Sequence, residues 1–510
     1  MLAGAYFVIM TIVSFKYHIM GGYGVETDFY IFVAQTKDML RGEFFSDGAR
    51  GPVYYLILAG VAGVVRDYFR AGLLIGIISA SLALSYSYLL LGRLFRRDIA
   101  FVGALLIACN PVFVQYTYSC GTDMPFVAFA TIALYYMFKP ERLGLRHLVV
   151  SSVLAALAYL TSYKGVFLLG GLLLGVLFFN MSKSSIKRRV VQAVIACAVF
   201  FLVTVPWGAY CLSHTGDFFL NKNYMNIAYA IYGQEVGWDA FCSLYDEEYR
   251  SFFDVIGRDP GRSLKYMVSS VYGHFTKDMG ELVGWHMGAL VIVGIVFSIL
   301  RRPSTRQIAY YGFNVLLFGV LLSVIYNPRW SLFLVPFYTV LALHALLSIG
   351  AWLYGSSGKA SALSTGLALI LTVWTAVESY SINRDIIGRG PGEVLAISRR
   401  FKARVPYDER GKLVVARKPH IAYYLDMDFE WIPYVKDVDE LVARLKDMKA
   451  DYLYFSYMEA GRRPELTPLL DHRQAPPGLQ PFLFSTHPPA VLYRVEAEAP
   501  GDSADSSDKR

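Results

Sequence analysis

Apolar residues along this chain come in long runs rather than in alternation. From Ala71 to Gly92 no charged side chain interrupts the run, a stretch long enough to cross about 30 Å of hydrocarbon as a helix. Similar windows lie near 2–18, 99–119, 124–138, 147–163, 165–182, 190–212, 283–300, 307–326, 330–352 and 360–380. Together they predict about eleven spanning helices. The first window has no basic segment before it and no small-residue cleavage site, so it reads as a retained span rather than a signal peptide. One further run, Pro52 to Val65, is only marginally long.

Arginine and lysine in short loops decide how that run is placed, because they mark the inner side of a membrane. If 52–65 does not span, four basic clusters share one side: Arg93/Arg96/Arg97, Lys139/Arg142/Arg146, Lys183/Lys187/Arg188/Arg189 and Arg301/Arg302/Arg306. The opposite loops are then nearly free of such clusters. The long loop 213–282 carries more acids (Asp217, Glu235, Asp239, Asp246 to Glu248, Asp254, Asp259, Asp278, Glu281) than bases. The expected topology has 52–65 at the interface and an inner amino terminus. Outside lie two long loops, 19–70 and 213–282, and everything from about 381. Phe29 to Leu40 is expected to lie on the membrane as an amphipathic helix. Strand-like runs Lys412 to Ala416 and Tyr452 to Phe455 flank a helical pattern, Val438 to Met448, and predict a small α/β domain. The polar tail from Glu496 has nothing to bury and should be disordered. The expected fold class is therefore an all-α polytopic membrane protein with a small carboxy-terminal extracytoplasmic α/β domain. Its parts are a transmembrane domain over 1–380, the α/β domain over 381–495 and a tail over 496–510.

Composition agrees. Of 510 residues 55% are hydrophobic and 17% charged, with a mean hydropathy of +0.41, against about a quarter charged in soluble domains. The net charge of +8 would suggest nucleic acid in a soluble protein, but here the bases sit in loops where they set topology, so no nucleic-acid partner is expected. Five cysteines show no metal-ligand spacing. The 37 tyrosines and 34 phenylalanines are mostly explained by interfacial belts.

Candidate chemistry collects at the outer rim. The expected topology puts Glu26-Thr27-Asp28-Phe29-Tyr30, Gly121-Thr122-Asp123-Met124-Pro125 and Asn327-Pro328-Arg329-Trp330 on that side. Carboxylates beside apolar helices cost solvation unless they stay wet or bind cations, so two acidic motifs suggest a base or metal site. Each has a plainer reading. Asp28 is placed to cap the helix from Phe29, and Asp123 stands where helices ordinarily begin. Arg50 and Arg329 lie outside, against the topogenic trend, and serve either an anionic ligand or the lipid interface. Lys164, at the end of the 147–163 run, also complements that helix's dipole. His214 and His274 are loop histidines that could contact substrate.

The first-loop motif at 26–30 with its surface helix, then Arg50-Gly51-Pro52 and the following run, then the stretch from Asn110 to Pro125 and the Leu157 to Gly165 segment, resemble the GT-C-fold glycosyltransferases that use polyprenyl-phosphate sugars. The branches concerned are those like protein O-mannosyltransferases and lipid A aminoarabinose transferases, and the resemblance covers roughly residues 1–350. It implies a polyprenyl-phosphate sugar donor, a glycan, lipid or protein acceptor, and inversion at the anomeric carbon. By the same resemblance Asp28 is the catalytic base or a metal-linked carboxylate, and Asp123 helps hold metal or donor. Arg50, Arg329 and Lys164 are the basic residues for the leaving phosphate, and a divalent cation, Mg²⁺ or Mn²⁺, is held by Asp28 and Asp123. Relatives carry an acid directly after the catalytic aspartate; here Glu26 stands two before it, so the base is Asp28 or Glu26. The expected location is the cytoplasmic (inner) membrane, with the site outside. Rival readings are a transporter or flippase for lipid-linked sugars, and a non-catalytic envelope assembly protein. Transporters usually carry ionisable groups near the bilayer midplane, whereas these windows are almost free of charge.

Overall fold

The computed structural model describes residues 1–21, 24–139, 142–245, 248–300, 305–355, 357–406 and 412–496. Arg301, Arg302, Asp246, Glu247 and the tail beyond Glu496 lie outside the described residues, as does the side chain of Arg306. The chain divides into two units. One comprises Met1–His18 with Phe32–Gly388; the other joins Ile19–Ile31 to the carboxy-terminal region from Arg389.

Each apolar window is largely helical. In chain order they are α1 (Leu2–Tyr17), then α2 (Phe29–Arg41) at the first loop, α3 (Val53–Val65), α4 (Tyr68–Leu94), α5 (Arg97–Cys109), α6 (Pro111–Tyr118), α7 (Asp123–Phe138), α8 (Leu145–Thr161), α9 (Val166–Leu177) and α10 (Ile186–Thr215). Trp285–Leu300, Thr305–Leu321, Val335–Tyr354 and Gly358–Ile387 complete the set. Four helices among the described residues are long and apolar enough to cross a membrane alone, and a bent pair adds a fifth. Apolar side chains on their outer faces stay exposed, Leu202 by 76% and Val377 by 65%, as a lipid-facing surface requires. The chain is an integral membrane protein.

The 13 residues of α3 rise about 20 Å at 1.5 Å each, short of the hydrocarbon thickness. The 99–119 window is not one continuous helix but α5 and α6, bent by 60°. Pro111 disfavours helical geometry at its predecessor. Asn110 is accordingly extended (φ −61°, ψ 128°), and its side chain accepts from Phe113 N at 2.9 Å while donating to Leu282 O at 2.7 Å. Close helix approach is bought with small residues: a Cβ on Gly294 would stand 2.0 Å from Leu341 O. Arg142 reaches from its loop to the carbonyls of Ser182 (2.9 Å) and Lys183 (2.7 Å), tying two basic loops together. The 213–282 loop is itself helical and closes on a small core of Met225, Ile231, Phe241, Tyr249 and Val255.

The second unit holds a five-stranded sheet. Its strands are β1 (Leu413–Ala416), β2 (Asp428–Trp431), β3 (Tyr452–Ser456), β4 (Leu479–Thr486) and β5 (Pro489–Val495), in the order β2-β1-β3-β5-β4. β1 runs parallel to β2 and β3, while β5 runs antiparallel to both β3 and β4. β3 is buried along its whole length. Leu453 and Phe455 pack with Leu441 and Leu445 of the amphipathic helix Val438–Asp447. Tyr452, on the other face, meets Phe401 of the helix Gly392–Arg404 at 5.6 Å. Helices thus cover both faces, as parallel strands need.

Candidate active site

In the first unit the turn between α8 and α9, Tyr163–Gly165, carries Lys164. Its ammonium lies 4.4 Å from the centroid of Phe126 and 5.6 Å from that of Phe333. Among the described residues it forms no ion pair or hydrogen bond; Asp123 acts on it favourably and Arg329 unfavourably through space. A cation held on aromatic faces with a second cation nearby is arranged to receive an anion. Asp123 opens α7 without capping it, Thr122 being the N-cap residue. Arg329 is set by a tight start: Asn327 accepts from its backbone N–H at 3.2 Å and Pro328 follows the cap. The guanidinium sits 5.4 Å from the Trp330 ring, and its buried Nε has no acceptor among the described residues.

Arg50 is placed differently. Its Nη1 pairs with Asp47 Oδ2 at 2.8 Å, both about one quarter exposed, and its guanidinium covers Phe32 at 4.8 Å. The neighbouring Gly51 needs to be glycine, since a Cβ there would stand 2.5 Å from Leu160 O at the end of α8. That close approach sets the Arg50-Gly51-Pro52 motif beside the segment leading to Lys164.

A buried acid lies nearby in sequence to none of these motifs. Asp278, fully buried, begins a wide helical turn after the helix Pro260–Lys277 and accepts from Tyr338 OH at 2.6 Å. Burial pushes its carboxyl up to about 6, opposed by the hydroxyls of Tyr338, Ser331 and Tyr326. Its Oδ1 and the Tyr326 hydroxyl lack partners of regular geometry among the described residues. His274 packs edge-on to Tyr326 at 5.4 Å, while His214 is exposed and stacks on Phe44 at 5.5 Å.

In the second unit Asp28 ends a short helical turn, Gly24–Asp28, just before α2. No cap of α2 by its carboxylate is found among the described residues. Oδ1 accepts instead from Lys418 Nζ at 2.7 Å, with both side chains 25% exposed. Glu26 is buried, 1% exposed, and accepts from Gly21 N at 3.4 Å. Of the two acids, Asp28 is the more exposed.

Among the described residues no three His, Cys, Asp or Glu side chains group as a ligand set, and one oxygen of Asp28 is committed to an ammonium.

Superposed on solved structures, the whole chain finds counterparts. ArnT from Cupriavidus metallidurans bound to undecaprenyl phosphate matches over 98% of both chains, with a TM-score of 0.57 and 13% identity. The chain has the GT-C fold. AglB from Archaeoglobus fulgidus, in complex with an inhibitory peptide and a dolichol-phosphate, matches over 98% of this chain and 75% of its own, with a TM-score of 0.60 and 12% identity. The A. fulgidus oligosaccharyltransferase crystallised with Zn and sulfate matches over 88% of this chain and 68% of its own, with a TM-score of 0.57 and 13% identity. Residues 49–210 match the family model of dolichyl-phosphate-mannose-protein mannosyltransferases. No curated protein sequence matches the chain. The resemblance read from the sequence thus stands.

Within the GT-C fold, Arg50, Asp123 and Lys164 fall inside the family-matched segment, whereas Glu26, Asp28 and Arg329 fall outside it. In the first unit, Lys164, Asp123 and Arg329 interact electrostatically. Sequence reading missed three residues. Asp47 was one acid in a polar loop and Asp278 one of many in another. Lys418 had no signal at all, being an ordinary basic residue in a water-facing domain.

Proposed function

We propose that this chain is a membrane glycosyltransferase that moves a sugar from a polyprenyl-phosphate carrier to an acceptor hydroxyl with inversion. The observation that carries the reading is the Lys164 ammonium, without an ion-pair partner among the described residues, held on Phe126 and Phe333 and acted on by the Arg329 charge. Two such cations repel each other, and an arriving anion relieves that repulsion. As the bond from anomeric carbon to phosphate oxygen breaks, negative charge grows on the phosphate, where preorganised cations act most strongly. By the resemblance read from the sequence, the proton of the attacking hydroxyl is assigned to Asp28, in the second unit. Asp123 balances Lys164 and keeps the receptor from being over-charged, and Arg50, already neutralised by Asp47, shapes its loop. The polyprenyl phosphates bound by ArnT and AglB support this donor class. The basic clusters support a cytoplasmic-membrane location with the site and the α/β domain outside.

The test is turnover by the purified protein in nanodiscs. It is offered undecaprenyl and dolichyl phosphate esters of mannose, glucose and aminoarabinose with a mixed acceptor pool, and released polyprenyl phosphate is read by mass spectrometry. Release is expected from at least one donor. Movement of intact donor across the bilayer without cleavage would instead establish a flippase.

A further inference from the structure

The carboxy-terminal domain places a charged side chain on the carboxylate assigned as base. Lys418 follows the carboxyl end of β1, two residues beyond Ala416, and Pro419 then starts the helix His420–Leu425. β1 lies between two parallel neighbours, β2 and β3, and in open α/β sheets the loops after such strand ends are where functional groups gather. Its ammonium meets Asp28 Oδ1 at 2.7 Å, and Oδ2 has no partner among the described residues.

The first-loop segment is already fastened without this pair. Tyr424 OH donates to Met20 O at 2.7 Å and Tyr30 OH to Met427 O at 2.6 Å. Tyr423 meets the rings of Phe29 and Tyr30 edge-on at 6.5 and 6.4 Å, and His420 lies against Gly21. An ion pair with one quarter of each side chain exposed adds little to such a clamp. What it does add is direction: one carboxylate oxygen is fixed and the other is left open.

We propose that Lys418 is a positioning residue for Asp28, so that the carboxy-terminal domain completes the catalytic base. Lys418 holds Oδ1, and Oδ2 receives the proton as the acceptor oxygen bonds to the anomeric carbon and the phosphate leaves with the electron pair of the broken bond. The inference rests on the transferase reading above.

The test uses the full-length protein in nanodiscs with whichever polyprenyl-phosphate sugar the wild type turns over. Lys418→Met should lower kcat at least about tenfold with KM and Tm near wild type, because a misdirected base loses rate rather than binding. Lys418→Arg, which can still hold one oxygen, should stay within about threefold of wild type. Asp28→Asn should lower kcat at least about a hundredfold, and the double variant Asp28→Asn/Lys418→Met should lose nothing further, since Lys418 acts only through Asp28. Wild-type kcat in Lys418→Met, or additive losses in the double variant, would overturn the positioning role and leave the transferase reading intact. A fall in Tm matching the fall in rate, unrescued by arginine, would make the pair a structural staple. No turnover by the wild type with any donor removes the transferase reading and this inference with it.

Discussion

Lys164→Met separates the anion-receptor reading from a merely structural lysine, because the two make opposite claims about stability. Methionine keeps a long unbranched side chain on Phe126 and Phe333 and packs well on aromatic rings. The folded protein loses a cation–π attraction of about 0.5–2 kcal/mol. It also sheds the repulsion from Arg329 and the cost of holding a half-buried charge with no ion-pair partner among the described residues. These contributions oppose each other, so Tm should move by no more than about 4 °C. The transition state loses a charge-assisted hydrogen bond to phosphate, about 1.5–3 kcal/mol. At 1.36 kcal/mol per decade that is a fall of roughly 10- to 150-fold. The phosphate gains charge only as the glycosidic bond breaks, so the loss should fall on kcat more than on KM. Released polyprenyl phosphate in single-turnover reactions and the melting temperature in nanodiscs measure both sides. Wild-type turnover in Lys164→Met would refute the receptor, and a rate lost only in step with a collapse in Tm would return Lys164 to a helix-end role.

Other expectations follow from the same structure. Burial first, and the Lys418 charge second, push His420 down to about 4, against the pull of Asp28. An unfolded histidine takes its proton near pH 6.5, so stability should be unaffected above that and fall by up to about 3 kcal/mol between pH 6.5 and 4. His420→Leu should flatten the Tm-versus-pH slope in that window, and equal slopes in variant and wild type would sink the assignment. Chelation by EDTA, or added Mg²⁺ or Mn²⁺ at millimolar levels, should shift Tm by no more than about 1 °C, since a resident ion would stabilise by mass action; a rise of several degrees would show a ligand set absent from the described residues. Reporter fusions after residues 97, 144 and 186 should report cytoplasm, and those at 45, 122, 240 and 450 the outer side. A cytoplasmic signal at 122 would mean that Val53–Val65 crosses the membrane.

Much of the fold was legible in the chain itself. A run such as Ala71 to Gly92 has one low-energy answer in lipid, because only a helix satisfies its own backbone there, and α4 forms where that run stands. The strands at 413–416 and 452–456 and the helix at 438–447 were equally legible from their periods. Local sequence also marked Asp28, Asp123, Arg329 and Lys164 as charges in unfavourable places. Tertiary structure alone decided what each charge meets. The Asn110 side chain at the break donates to a carbonyl at Leu282, 172 residues away. Arg50 found Asp47 through a loop held by Asn223 and Lys222. Asp278 became a buried acid only when Tyr338 closed on it. Asp28 received its ammonium from a residue 390 positions along the chain, in a strand-end loop that carries no sign of its partner. Hydrophobic periodicity is a local property repeated over many residues and survives in the one-dimensional text. An ion pair is a single long-range coincidence of two side chains, fixed only when every element between them has been placed.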